Sequence, residues 1–268
     1  MKSIAFLATA TIAMAGTAFA KIGTPTERSE GGEMFFSLFS PSAGATYQLD
    51  TGILVKDFLT LAETSFWRVT LDASSDAAFA SFLEATGSAS DIRYSLMGGD
   101  NVGVAAAARS LITTVRQGGD VESITNGNLV NGMFAMTNNY LGGAGVNSKH
   151  PASMLTNGSS FFTQAEGNGH YYTRQIDTLS GYFAIGNDNL LGTMAPVHHF
   201  TRSSTASLGN ANGVVLSSMY VQRISADQYD VNFGALPLTS ETPEPSSMVL
   251  ALISLGALGA LAARRRAD

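Results

Sequence analysis

The 268-residue chain has no cysteine, one tryptophan, four histidines and only 13% charged residues. Without cysteine there can be no disulfide, thiol nucleophile, thiolate metal site or lipidated N-terminal Cys. The 15 Lys and Arg stand against 21 Asp and Glu, a formal net charge of −6. Nucleic acid is excluded as a main partner, because phosphate contacts need clustered basic residues. The histidines are His150, His170, His198 and His199. Neighbours in a strand point to opposite faces, so His198 and His199 alone cannot chelate one ion, and His150 or His170 would have to converge on them.

Catalytic motifs are equally scarce. There is no HExxH and no G-x-S-x-G elbow; Gly158-Ser159-Ser160 lacks the second glycine and a strand context. His170 or His198 with Asp177 or Asp188 would complete a serine triad, but so Ser-rich a chain offers such triples by composition alone. Gly98-Gly99-Asp100-Asn101 and Gly186-Asn187-Asp188-Asn189 resemble fragments of calcium loops without the spaced ligands and closing Glu, and read better as turns. Trp67, Tyr171, Tyr172, Tyr182 and Phe183 are candidates for stacking sugars, against the simpler reading that they are core. A flat ice-binding array would need a ladder of T-x-T repeats, which the body lacks. No catalytic residue, cofactor-binding residue or metal ligand is assigned.

The two ends carry the strongest signals. Lys2, the apolar run Ile4–Met14 and the small residues Ala18 and Ala20 make residues 1–20 a secretory signal peptide, cleaved by signal peptidase before Lys21. Thr242-Pro243-Glu244-Pro245 precedes an apolar run over 248–263, and Arg264, Arg265 and Arg266 follow. Sixteen helical residues reach roughly 24 Å, slightly under a hydrocarbon core of about 30 Å, and snorkelling arginines can cover the difference. The basic cluster would hold that end in the cytoplasm. Residues 237–247 form a Pro/Ser/Thr/Glu linker and 264–268 a basic tail.

Pro243-Glu244-Pro245, the apolar helix and the arginine cluster together resemble the PEP-CTERM sorting signal of Gram-negative bacteria. The resemblance covers roughly residues 242–266, and Thr242 departs from the Val common before the first proline. It implies processing by a membrane-embedded exosortase near the motif, a transient single-pass membrane form, and delivery to the cell surface or exopolysaccharide matrix. The prolines suit such a site: they fix φ, lack amide donors and keep the segment extended before the helix. A permanent single-span anchor is the alternative.

The body, residues 21–236, has an ordered first part. Glu33–Ser40 reads as a buried strand, Pro41–Gly44 as a turn and Ala45–Asp50 as the return strand of a hairpin, with a break at Asp50-Thr51-Gly52. The block Glu33–Gly52 is similar to other PEP-CTERM ectodomains of unknown function. Lys56–Ala62 and Ala77–Ala85 are predicted helices, the second capped within Ser74-Ser75-Asp76 and closed by Gly87. Phe66–Leu71, Ile92–Met97 and Ser110–Val115 are predicted strands. From Gly118 to Gly213 the chain holds 15 Gly and 12 Asn, interrupted by a predicted helix over Asn126–Leu141 with a Leu129, Met133, Met136, Tyr140 stripe. Strands resume at Tyr182–Ile185, Val197–Thr201, Val214–Ile224 and Gln228–Leu236. Many short strands and dense turns predict a mainly-β, sandwich-like domain with two or three short helices, α+β being the alternative. The function expected is that of a non-enzymatic surface or biofilm-matrix protein. A secreted carbohydrate- or ice-binding module and an extracellular hydrolase are the alternatives.

Overall fold

The computed structural model describes residues 22, 24–25, 31–64, 67–103, 105–116, 118–135, 141, 158–166, 186 and 188–234. Strands β1 (Glu33–Ser40) and β2 (Ala45–Leu54) form the expected antiparallel hairpin. The segment EMFFSLFS shows no polar alternation because β1 is buried on both faces: Phe36 and Leu38 enter one core cluster, Phe35 and Phe39 another. Then come α1 (Val55–Thr64), β3 (Trp67–Asp72), α2 (Ala77–Thr86), β4 (Arg93–Asp100), β5 (Ser110–Thr114), α3 (Asn126–Ala135) and β6 (Ser159–Thr163). β7 (Asn189–Leu190), β8 (Met194–Thr201), β9 (Asn212–Arg223) and β10 (Gln228–Phe233) complete the described elements.

The ten described strands join one antiparallel sheet in the order β3-β10-β9-β8-β5-β4-β1-β2-β6, with β7 beside β4. The sheet is curled into a half-barrel. Tyr47 of β2 and Tyr229 of β10 lie six strand steps apart, about 29 Å in a flat sheet at about 4.8 Å per step. Yet the ring of Phe79 in α2 stands 5.5 Å from that of Tyr47 and 5.2 Å from that of Tyr229. One phenylalanine can reach both only if the sheet wraps around it.

The expected sandwich is therefore replaced by a single sheet. Its concave face is filled by helices where a second sheet would sit: Phe58 of α1 lies 4.5 Å from Phe233, and Phe79 and Phe82 of α2 are fully buried. On the convex face, Leu129 and Met133 of α3 pack with Phe35, Phe39, Met97 and Phe200. The first half of the expected stripe along Asn126–Leu141 is thus a core face; Met136 and Tyr140 lie outside the described residues. So do the expected strand Tyr182–Ile185, the signal peptide and everything after Gly234. The described residues all belong to the first of the two units into which the chain divides, Met1–Gly234.

Three local readings change. Asp50-Thr51-Gly52 does not end β2; the register shifts there between Glu33 and Phe35 of the partner strand, and pairing resumes at Leu54. Thr51 Oγ1 donates to Met34 O at 2.6 Å, holding the irregularity inside the sheet. Gly98-Gly99-Asp100 is the end of β4 and not a turn. A Cβ on Gly98 would meet Met34 Sδ and come within 2.9 Å of the Glu33 carbonyl oxygen, so the glycine serves close strand approach. Ser159-Ser160 opens β6, so this serine pair does have strand context; its pairing partner, β2, lies more than a hundred residues upstream and leaves no local trace.

Candidate functional site

One polar cluster lies where α2 runs between the two edge strands of the half-barrel, β3 and β6. The turn Ala73–Asp76 leaves β3 at one edge, and α2 then crosses toward β2 and β6 at the other. Asp76 caps α2 with extended backbone (φ −125°, ψ 101°), its Oδ1 accepting from the Ala78 and Phe79 amides at 2.9 and 3.0 Å. The same oxygen accepts from Ser159 Oγ of β6 at 2.7 Å, and Oδ2 accepts from Tyr47 Oη at 2.7 Å. One carboxylate, in the turn after β3, thus joins α2, β2 and β6. Burial, with the nearby Asp76 charge second, raises the Tyr47 hydroxyl far above its ordinary value, so it stays a donor. The sequence signals the cap but not the partners, which lie 29 and 83 residues away.

Other carboxylates are similarly engaged. Asp188 is buried and takes Arg93 Nη1 on one oxygen at 2.7 Å and Arg116 Nη2 on the other. Two guanidiniums occupy the oxygens that a calcium loop would need, and Asp188 fastens the segment leading into β7 to β4 and to the end of β5. Asp230 of β10 accepts from Arg68 and, at 2.8 Å, from Thr70 of β3. Asp91 accepts from Ser40 Oγ at 2.6 Å, the Ser42 amide at 2.7 Å and Ser42 Oγ at 2.8 Å. Its desolvation, the largest single influence, opposes ionisation, but these hydrogen bonds together outweigh it and hold the carboxyl below its ordinary value. Asp72 and Asp227 line a shallow open cleft with Ser74, Ser225 and Gln228. There Asp72 accepts from the Ser74 amide at 2.8 Å and from Gln228 Nε2 at 2.5 Å.

His198 and His199 point to opposite faces of β8, as their adjacency requires. His198 pairs with Thr113 and stacks on Phe200 at 5.6 Å, whereas His199 pairs with Ile112. His198 Nδ1 and His199 Nε2 are buried without hydrogen-bond partners, and burial lowers both pKa values from 6.5. Both rings are therefore neutral at pH 7. Below pH 6.5 the unfolded chain takes up protons before the folded one, so stability falls with pH until the folded values are passed. The melting temperature is expected to drop between pH 7 and pH 5. The double variant His198→Gln, His199→Gln should flatten that drop; an unchanged slope would remove the histidines as its cause.

Among the described residues no three His, Cys, Asp or Glu side chains gather as a metal site. Trp67 packs against the concave core, half-buried. His150, His170, Asp177, Tyr171, Tyr172, Tyr182 and Phe183 lie outside the described residues, as do Ala18, Ala20, Pro243, Glu244, Pro245, Arg264, Arg265 and Arg266. No helix among the described residues is long and apolar enough to cross a membrane.

The comparison that identifies a function concerns the C-terminal region. Residues 241–266 match the family model of the PEP-CTERM protein-sorting motif, a span that includes Pro243-Glu244-Pro245 and the three arginines. No curated protein and no solved structure matches the chain. The chain carries a PEP-CTERM protein-sorting motif, which implies an exported protein addressed to the cell envelope or surface and sorted by an exosortase.

Proposed function

We propose that this is a non-enzymatic surface or extracellular-matrix protein of a biofilm-forming Gram-negative bacterium, exopolysaccharide being the surrounding material. The sorting motif at 241–266 carries the reading. It is supported by the way the body uses its carboxylates: Asp76, Asp91, Asp188 and Asp230 all tie strands, turns or helix ends together. Signal peptidase would remove residues 1–20, and the apolar run 248–263 would hold the body briefly at the inner membrane. Exosortase would then act near Pro243-Glu244-Pro245 and free it.

The test compares intact protein mass from cells with and without exosortase. In exosortase-positive cells the C-terminus is expected near the Pro-Glu-Pro motif, with the apolar run and arginines gone; in negative cells it should extend to Asp268. Replacing Pro243-Glu244-Pro245 by three alanines should give the unprocessed mass in both. An intact tail in exosortase-positive cells would overturn the processing step. Deleting the gene should reduce biofilm mass and surface attachment, and an unchanged biofilm would overturn the matrix role.

A further inference from the structure

The β8–β9 arm has an edge that no strand among the described residues covers along its full length. β9 pairs with β8 from Asn212 to Tyr220, but β10 accompanies β9 only from Met219 to Arg223. The last bond on that side runs from the Gly234 amide to Ser218 O at 3.0 Å. The irregularity opposite Val197 and His198 places Leu216 as an extra residue in β9, and a bulge of this kind ends regular pairing with the outer neighbour. Along Asn212–Ser217, no strand among the described residues therefore covers the side facing away from β8.

The side chains on this arm are not those of a protected edge. Val214 is 54% exposed and Val215 63% exposed, on opposite faces, and Leu208 in the preceding loop is 92% exposed. That loop is firmly built: Asn126 Nδ2 donates to Ser203 Oγ at 3.1 Å and Ala206 O at 3.0 Å, while its Oδ1 accepts from the Ser203 amide at 2.9 Å. Free edges are ordinarily blunted by lysine, other charges or proline. Here Ser203–Gln222 is a run of 20 residues with no charged side chain and no proline, between Arg202 and Arg223.

We propose that the edge Asn212–Ser217 pairs antiparallel with the same edge of a second copy, joining two half-barrels into one continuous sheet. An edge strand meeting its own two-fold image is self-complementary, since each residue i faces j as j faces i. Charge favours this meeting place. Residues 21–245 carry 11 Lys and Arg against 20 Asp and Glu, so two bodies repel over most approaches, and the uncharged arm escapes that repulsion. A six-residue contact spans only about 20 Å, so the association is weak and becomes significant where the protein is concentrated, as on a surface.

Sedimentation of the exported protein from exosortase-positive cells, from micromolar to sub-millimolar concentration, should show a reversible monomer–dimer equilibrium. Val215→Lys places two like charges at the two-fold seam and should weaken dimerisation at least about tenfold. Ile224→Lys, also on an exposed apolar residue but past the β10-paired end of β9, should not. The natural absence of cysteine gives a second readout that does not depend on Val215→Lys folding. Under mild oxidation, whichever of Val214→Cys and Val215→Cys stands opposite its own copy across the two-fold should form a disulfide-linked dimer, and Ile224→Cys should not. A protein that stays monomeric throughout, including one that instead takes up an extended peptide of another protein, overturns the proposal. So does a dimer that Val215→Lys and Ile224→Lys weaken equally, or equal cross-linking at all three positions.

Discussion

Asp76→Ala is expected to destabilise the half-barrel by about 3 kcal/mol. Loss of an N-cap costs about 1 kcal/mol. The remainder comes from the Tyr47 hydroxyl, which loses its acceptor inside the core, an orphaning worth about 1–3 kcal/mol. For a domain of this size that corresponds to a fall in melting temperature of roughly 6–12 °C. Two companion variants separate the contributions. Asp76→Asn keeps the capping oxygen and should lose only about 1 kcal/mol. Tyr47→Phe removes the hydroxyl along with its need for a partner, so Asp76→Ala should cost much less in that background than in the native chain. Additive losses in thermal melts of the double variant would show that the carboxylate does not join helix and strands as one unit.

Phe79→Ala is expected to cost more, about 3–5 kcal/mol. The ring is fully buried and meets both tyrosines edge-on, at interplanar angles of 64° to Tyr47 and 76° to Tyr229. Its removal opens a cavity where the two sides of the curl meet a common helix, and neither strand can close it without unwinding the sheet. Phe79→Leu, which fills much of the space, should cost well under half as much. Chemical denaturation of both variants measures this. A Phe79→Ala loss below about 1 kcal/mol would mean that the curl is held by strand pairing alone and not by the helix it encloses.

The two variants mark how far the sequence can be read. Phe79 and Phe82 sit at helical spacing behind a capping Asp and before a closing Gly87, and α2 forms at those residues with Gly87 at φ 52°. β1, α1, β3 and β5 were legible for the same reason: apolar pattern and turn residues lie within one short window. Gly98-Gly99 misled because glycine, taken locally, signals a turn. Only the approach of β1, with Met34 and the Glu33 carbonyl against Gly98, explains why it stands in a strand. β6 escaped notice because it is only five residues long, SSFFT, and its pairing partner, β2, lies more than a hundred residues upstream.

The candidate site divides in the same way. The sorting signal is legible because a membrane enzyme meets it as a linear segment: the proline-containing motif, the apolar run and the arginines follow one another in the chain. The neutrality of Ser203–Gln222 and the lack of cysteine are likewise properties of the chain alone. That Asp188 serves two arginines, that Asp76 closes a seam, and that no described strand covers one side of β9 were decided only in three dimensions. Each depends on strands brought together over long sequence separations, where loop closure sets partners that no local spacing records. The same holds for the sheet. Composition and turns announced strands, but whether they stack as two sheets or curl as one depends on what fills the concave face, and here two short aromatic helices do.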